Sequence, residues 1–161
     1  MLIRAMREDD DFAAVARLYL TTWRSAYQRI VPAAFLAQLH VKVWQPQKRW
    51  QTSFVAENAQ QQIVGVCSFG PARSGQFNGY GELYSIYVYP AYANQGIGSA
   101  LIKRALARLQ VKYPTIYLWV FAANWSAIKF YQKFGFKPYG RAQDAGISDI
   151  PVLQQVYLKK R

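Results

Sequence analysis

The sequence predicts an α/β chain, a mixed sheet with helices packed against it. Short β-branched and aromatic runs outnumber the helical stretches, and both crossover helices stand between strands in the second half of the chain. One junction, Ile86-Tyr87-Val88-Tyr89-Pro90-Ala91-Tyr92-Ala93-Asn94-Gln95-Gly96-Ile97-Gly98-Ser99-Ala100-Leu101, passes from strand through a glycine loop into a helix. With 161 residues, 52% of them hydrophobic and 16% aromatic, the chain suits one domain over residues 1–161 with a sizeable core.

The elements follow in order. Leu2–Met6 reads as a short strand. Asp9–Gln28 reads as a helix, with Phe12, Val15, Tyr19, Trp23, Ala26 and Ile30 at helical spacing and acids at its start. Pro32 opens a short helix through about Leu39. Val43–Trp50 fits no single pattern. Ser53–Glu57 and Ile63–Phe69 form a hairpin around Asn58-Ala59-Gln60-Gln61. Gly70–Gly81 is a glycine-rich loop, Glu82–Tyr89 a strand and Gly96–Lys112 a helix. Thr115–Ala122 is a strand, Asn124–Phe134 a helix stopped by Gly135, and Phe136–Gly140 and Val152–Leu158 are late strands.

The net charge is +12, from 20 basic and 8 acidic residues, which favours anionic partners: nucleic acid, acidic proteins or a multiply phosphorylated cofactor. Glu82 is the only carboxylate between positions 58 and 143, so acid–base chemistry there has few candidates. The lone cysteine, Cys67, leaves no internal disulfide and fits a reducing compartment. No apolar run has the roughly 18 residues of a membrane helix. Glu8-Asp9-Asp10-Asp11 stands where a signal peptide needs an apolar core, so the expected location is the cytoplasm.

At the glycine junction several free backbone N–H groups converge on one point, and glycine lets a ligand approach closely. The natural guest is a phosphate or pyrophosphate. Leu101 stands where a dinucleotide fingerprint needs a third glycine, and no Gly-Lys-Ser/Thr follows. A turn that simply needs glycine also fits. In the helix that follows, Leu101, Ala105 and Leu109 mark the core face, with Ile102 and Leu106 beside them. Arg104, Arg108 and Lys112 read as a solvated face, with an anion track as the second reading. The second signature is Asn124-Trp125-Ser126-Ala127-Ile128-Lys129-Phe130-Tyr131-Gln132-Lys133-Phe134-Gly135-Phe136. Asn124 can cap a helix, Gly135 can end it, and Ala127, Phe130, Tyr131 and Phe134 form an apolar stripe. Tyr131 by itself reads more often as a core residue than as a catalyst.

Together the two signatures resemble the Gcn5-related N-acetyltransferase family over roughly Gly81–Gly140. The family loop pattern Arg/Gln-x-x-Gly-x-Gly/Ala falls on Ala93-Asn94-Gln95-Gly96-Ile97-Gly98. Both glycines match, and Ala93 replaces the leading Arg or Gln, with Gln95 or Ser99 able to substitute in part. The second pattern falls on Asn124-x-x-Ala127-x-x-Phe130-Tyr131-x-x-x-Gly135-Phe136. The resemblance implies a central, mixed, mostly antiparallel twisted sheet of about six or seven strands flanked by about four helices. It implies acetyl-CoA as cosubstrate and direct attack of a primary amine on the thioester. A cofactor set follows: Ile86, Tyr87 and Val88 at a strand bulge, then Asn94, Gln95, Gly96, Gly98 and Ser99, and Asn124 near the pantetheine arm. Tyr131 matches the general acid, donating to the departing thiolate. Glu82 matches the base, with desolvation of an isolated acid expected to raise its pKa; a surface carboxylate paired with Lys or Arg is the other reading. No metal is called for.

Trp23 and Tyr27 are expected to touch the acceptor, with Trp44, Trp50 and Arg73 nearby. The charge balance argues against a polycationic acceptor and for a neutral or anionic amine, or an acidic polypeptide end. The preferred acceptor is a small molecule; a protein N-terminus or lysine is the alternative within enzymes. A basic nucleic-acid-binding module, though without a recognised motif, and a non-catalytic acetyl-CoA sensor are the other classes. His40 reads as structural and Cys67 as an inert buried thiol. A monomer and a homodimer both remain open.

Overall fold

The computed structural model describes residues 1–161. Its strands are β1 (Leu2–Ala5), β2 (Ser53–Glu57), β3 (Ile63–Pro71), β4 (Gly81–Val88), β5 (Thr115–Phe121), β6 (Lys137–Asp144) and β7 (Leu153–Lys160). Its helices are α1 (Phe12–Ala26), α2 (Ala33–Gln38), α3 (Ile97–Lys112) and α4 (Trp125–Gln132). The strands join one sheet in the order β1-β2-β3-β4-β5-β7-β6. Every neighbouring pair is antiparallel except β4 and β5. The mixed, mostly antiparallel sheet with four helices agrees with the expected fold class. No helix is long and apolar enough to cross a membrane.

Strand alternation distributes the core over two faces. In β5, Ile116, Leu118 and Val120 join the main core with Leu101, Ile102, Ala105, Leu106 and Leu109 of α3. Tyr117 points the other way, against Phe77 and Val156. In β2, Phe54 and Ala56 meet the α3 side, and Val55 packs with Val15, Leu18 and Tyr19 of α1. Burying each of these aliphatic side chains contributes roughly 2 kcal/mol. Arg104, Arg108 and Lys112 lie exposed on the outer side of α3, the solvated face.

Several boundaries shift for local reasons. Helix α1 begins at Phe12 because Asp11 caps it, its Oδ1 accepting from the Ala14 N–H at 2.9 Å. The acids before it lie outside the helix, and Asp10 turns back to Arg4. Residues 41–52 resolve into three short 3₁₀ turns. The glycine-rich loop narrows to residues 72–80, because Gly70 and Pro71 pair with Glu82 and Gly81. The last hairpin is longer than expected, through Asp144 and Lys160.

One ionic cluster ties the first strand to the sheet. The Arg4 guanidinium donates to both oxygens of Asp10, at 2.8 and 2.6 Å, and to Glu57 Oε1 at 2.6 Å. Burial pushes the Asp10 carboxyl up, but the Arg4 and Arg7 donors outweigh it and the net shift is downward. The Arg4 hydrogen bonds hold Glu57 below its ordinary value. Carboxyl groups lowered on folding add stability above their unfolded pKa of about 4, and lose it as pH falls through the lower folded values. Replacing Arg4 with Met leaves two adjacent carboxylates without their counter-charge. Urea unfolding at pH 7 should show a loss of about 2 kcal/mol. The gap between wild type and variant should narrow as the pH drops below about 4.

Candidate active site

The site begins where β4 and β5 part. These parallel strands pair only at Gly81↔Ile116 and Glu82↔Tyr117. Beyond Glu82, β4 has no ladder partner on its β5 side, and a cleft of about 830 Å³ opens there. Leu83 to Val88 of β4 and Trp119 to Phe121 of β5 form its walls. Backbone N–H and C=O groups freed in this way are available to a ligand that carries amides of its own.

A bulge shapes the same stretch. Ser68 pairs with Ser85 and Phe69 with Leu83, so Tyr84 is the extra residue. The sequence expectation placed a bulge at Ile86, Tyr87 and Val88; the structure moves it to Tyr84, and those three pair regularly with Cys67, Val66 and Gly65. The bulge resets the alternation. Ile86 and Val88 pack on the α3 side, while Ser85 and Tyr87 turn to the α1 side.

The glycine loop supplies the cleft's polar end. Gly96 sits in the left-handed region at φ 79° and precedes α3 with no side-chain cap. The first ladder bond runs from the Ala100 N–H to the Gly96 carbonyl, so the amides of Ile97, Gly98 and Ser99 have no partner inside the helix. Asn94 and Gly98 line the cleft. Gly98 faces Phe130, where an added Cβ would lie 3.5 Å from the ring. Gln95 and Gly96 of the loop and Ser99 of α3 do not line the cleft, and Gln95 Nε2 donates to the Ala91 carbonyl at 3.4 Å. Ala93 is exposed.

Helix α4 forms the facing wall. Asn124 Oδ1 accepts from the Ala127 N–H at 3.2 Å, so the cap exists, and Asn124 also lines the cleft. Tyr131 lines the cleft between Phe130 and Phe136, with ring centroids at 5.4 and 6.0 Å. Burial pushes its phenol further above the ordinary tyrosine value. It is therefore protonated throughout the neutral range and can act only as a donor of that proton. Lys129 and Lys133 stand on the same wall. Sequence reasoning did not single them out, although their i, i+4 spacing in the helix expected over Asn124–Phe134 placed them on one face.

Trp23 and Tyr27 reach the cleft from α1, packed against each other and against Phe121. Tyr27 Oη lies 3.5 Å from Tyr87 Oη. Cys67 is fully buried, and burial pushes its thiol up, which keeps it protonated and unreactive. His40 is exposed, before a 3₁₀ turn.

Glu82 differs from the isolated acid that the sequence suggested. Its side chain is 2% exposed and lines neither this cleft nor the cavity beyond β4. Oε1 accepts from Arg73 Nε and Nη2 at 3.0 and 2.5 Å. Oε2 accepts from the Arg73 N–H at 2.8 Å and from Tyr117 Oη at 2.6 Å. The carboxylate is thus occupied on both oxygens, and it stitches the loop to β4 and β5 at the point where the strands diverge.

A sequence profile of the acetyltransferase (GNAT) family matches residues 7–136. The chain belongs to this family. The uncharacterized N-acetyltransferase YuaI of Bacillus subtilis strain 168 is 34% identical over 131 residues, covering 78% of this chain and 74% of its own length. Two solved structures share the fold. YncA from Salmonella typhimurium, determined with its cofactor acetyl-CoA, has a TM-score of 0.74 at 19% identity, over 99% of this chain and 92% of that one. PaiA N-acetyltransferase from Thermoplasma acidophilum, in complex with coenzyme A, has a TM-score of 0.70 at 19% identity, over 99% and 98%. The protein is an N-acetyltransferase with acetyl-CoA as its cosubstrate. The cleft offers the Gly98 amide at the start of α3, an unpaired strand edge along β4, and Lys129 and Lys133 on the facing wall.

Two substitutions test this geometry. Gly98→Trp would fill the space beside Phe130, and calorimetry should show acetyl-CoA affinity reduced by at least about 30-fold with the melting temperature little changed. Glu82→Gln would strip the charge from the Arg73 contact, with Arg73 49% exposed at its side chain. After allowance for that exposure the expected loss of unfolding free energy is about 1–2 kcal/mol.

Proposed function

We propose that residues 1–161 act as one catalytic domain that transfers an acetyl group from acetyl-CoA to the primary amine of a small molecule, by direct attack. The observation that carries this reading is the cleft between β4 and β5, with a half-buried tyrosine on one wall and unpaired backbone donors on the other. Acetyl-CoA supplies the activated carbonyl when bound. The amides of Ile97, Gly98 and Ser99 receive the pyrophosphate, aided by the partial positive charge at the start of α3. Backbone groups of Ile86, Tyr87 and Val88 hold the pantetheine arm, and Asn124 steadies it from α4. Gln95 stands beside the phosphates, where the leading Arg or Gln of the family loop is replaced by Ala93. Lys129 and Lys133 draw further negative charge to the α4 wall. The net charge of +12 finds a partner in this cosubstrate.

Tyr131 is the proton donor to the departing sulfur. Its raised pKa keeps the active, protonated form present at every pH below about 10, so it imposes no alkaline fall within the usual working range. Glu82 is assigned a positioning part, because both its oxygens are occupied away from the cleft. No carboxylate or imidazole lines the cleft. The amine's proton therefore passes to water, and the amine must arrive largely neutral.

Tyr131→Phe should lower kcat by about 100-fold in a thiol-release assay and leave acetyl-CoA affinity within about twofold. Undiminished turnover would remove Tyr131 from the mechanism. The acidic limb of kcat/KM should lie at or below the acceptor amine's own pKa and move when acceptors of different basicity are compared. In Glu82→Gln that limb should stay in place. A limb fixed near the carboxylate range for every acceptor, and abolished by Glu82→Gln, would restore Glu82 as the base.

A further inference from the structure

A second cavity, of about 700 Å³, lies on the α1 side of β4. Trp23, Tyr84, Ser85 and Tyr87 line both it and the cleft, so the two spaces meet across the bulge. Lys48, Arg49 and Arg73 line this cavity, and no carboxylate does. Arg73 is neutralised from beneath by Glu82. Lys48 and Arg49 take part in none of the chain's ion pairs. Arg49 Cζ lies 4.8 Å and Arg73 Cζ 4.3 Å from the centroid of the Tyr84 ring. That ring is pinned in turn, its hydroxyl donating to the Pro71 carbonyl at 2.7 Å.

Lys48, Arg49 and Arg73 line the cavity with only Arg73 paired to a carboxylate, which leaves an excess of positive charge there. Crowding of this kind is unfavourable until an anion enters, and a guanidinium fork suits the two oxygens of a carboxylate. Trp44 and Tyr19 stack at 5.8 Å and give the same cavity an apolar wall. A polyamine would meet only repulsion here. A peptide N-terminus carries an amide where this cavity offers charge.

We infer that this cavity holds the acceptor and that the acceptor is a free amino acid, its carboxylate anchored by Arg49 with Lys48 and Arg73 beside it. The inference rests on the acetyl-transfer reading above. The amino group extends past Ser85 into the cleft. There its nitrogen forms the new C–N bond as the C–S bond of the thioester breaks. One proton leaves the nitrogen for water and one passes from Tyr131 to the leaving sulfur; a proton from water then restores the Tyr131 phenol, so an N-acetyl amino acid and free coenzyme A result.

The test is a thiol-release screen of the common L-amino acids, each beside its carboxamide, together with spermidine and short peptides, after calorimetry has measured acetyl-CoA binding. At least one amino acid should be used with kcat/KM about 100-fold or more above its carboxamide. Arg49→Gln should raise the KM for that amino acid by about 10-fold or more, leave the carboxamide unaffected and leave acetyl-CoA affinity unchanged. Lys48→Gln, at an exposed position, should act in the same direction and serves as the second variant if Arg49→Gln folds poorly. Equal use of acid and carboxamide, preference for spermidine or peptides, or acetyl-CoA binding with no amino acid consumed would each overturn the inference and leave the acetyltransferase reading intact. A folded protein that binds no acetyl-CoA would overturn both.

Discussion

The short ladder between β4 and β5 is the constraint on which the rest depends. Two paired positions suffice to join the halves of the sheet, and the strands then separate. An opening inside a sheet exposes backbone groups that would otherwise bond each other, which costs free energy unless water or a ligand satisfies them. The Glu82 cluster fixes where the opening begins. Arg73 and Tyr117 converge on one carboxylate at the last paired position, so the strands are locked together up to Glu82 and free after it.

The bulge at Tyr84 does for the side chains what the fork does for the backbone. Regular alternation would have sent Ile86 and Val88 to the α1 side. One extra residue instead sends Ser85 and Tyr87 there, where Ser85 lies 3.0 Å from Tyr19 Oη. A buried hydroxyl chain continues from Tyr19 to Ser68 at 3.2 Å and on to Ser53 at 2.7 Å. Each of these hydroxyls thus finds a partner, which limits the cost of polar groups beneath α1. Aliphatic side chains stay on the α3 side, and the wall between cleft and second cavity becomes polar.

Much of this was legible in the sequence where a period or a cap determines the outcome. The core stripe of α3, the Asn124 cap and Gly135 at φ 85° all follow from local rules that tertiary contacts do not override. The strand–glycine loop–helix junction was readable because glycine at the position before α3 takes the left-handed conformation, with Gly96 at φ 79°. The bulge was misplaced by at least two residues, since nothing in Glu82-Leu83-Tyr84-Ser85 signals which residue drops out of register. Of the two readings of Glu82, pairing with an arginine holds and the isolated acid does not; its burial was missed because its partners come from the neighbouring loop and from a strand 35 residues away. Lys48 and Arg49 fell in a stretch with no readable period, and their value depends on facing Arg73 across space.

The cationic lining also answers a chemical problem that the cleft leaves open. With no carboxylate or imidazole on either cavity wall, nothing there is suited to take a proton from an ammonium group. Nearby positive charge disfavours that protonated form and lowers the amine's pKa on binding, while the same charge attracts a carboxylate on the other end of the molecule. One arrangement of Lys48, Arg49 and Arg73 thereby selects an acidic acceptor and raises the fraction of it that is nucleophilic. Glu82 takes part by moderation. It neutralises one guanidinium, and its burial at the fork keeps it from competing for the amine.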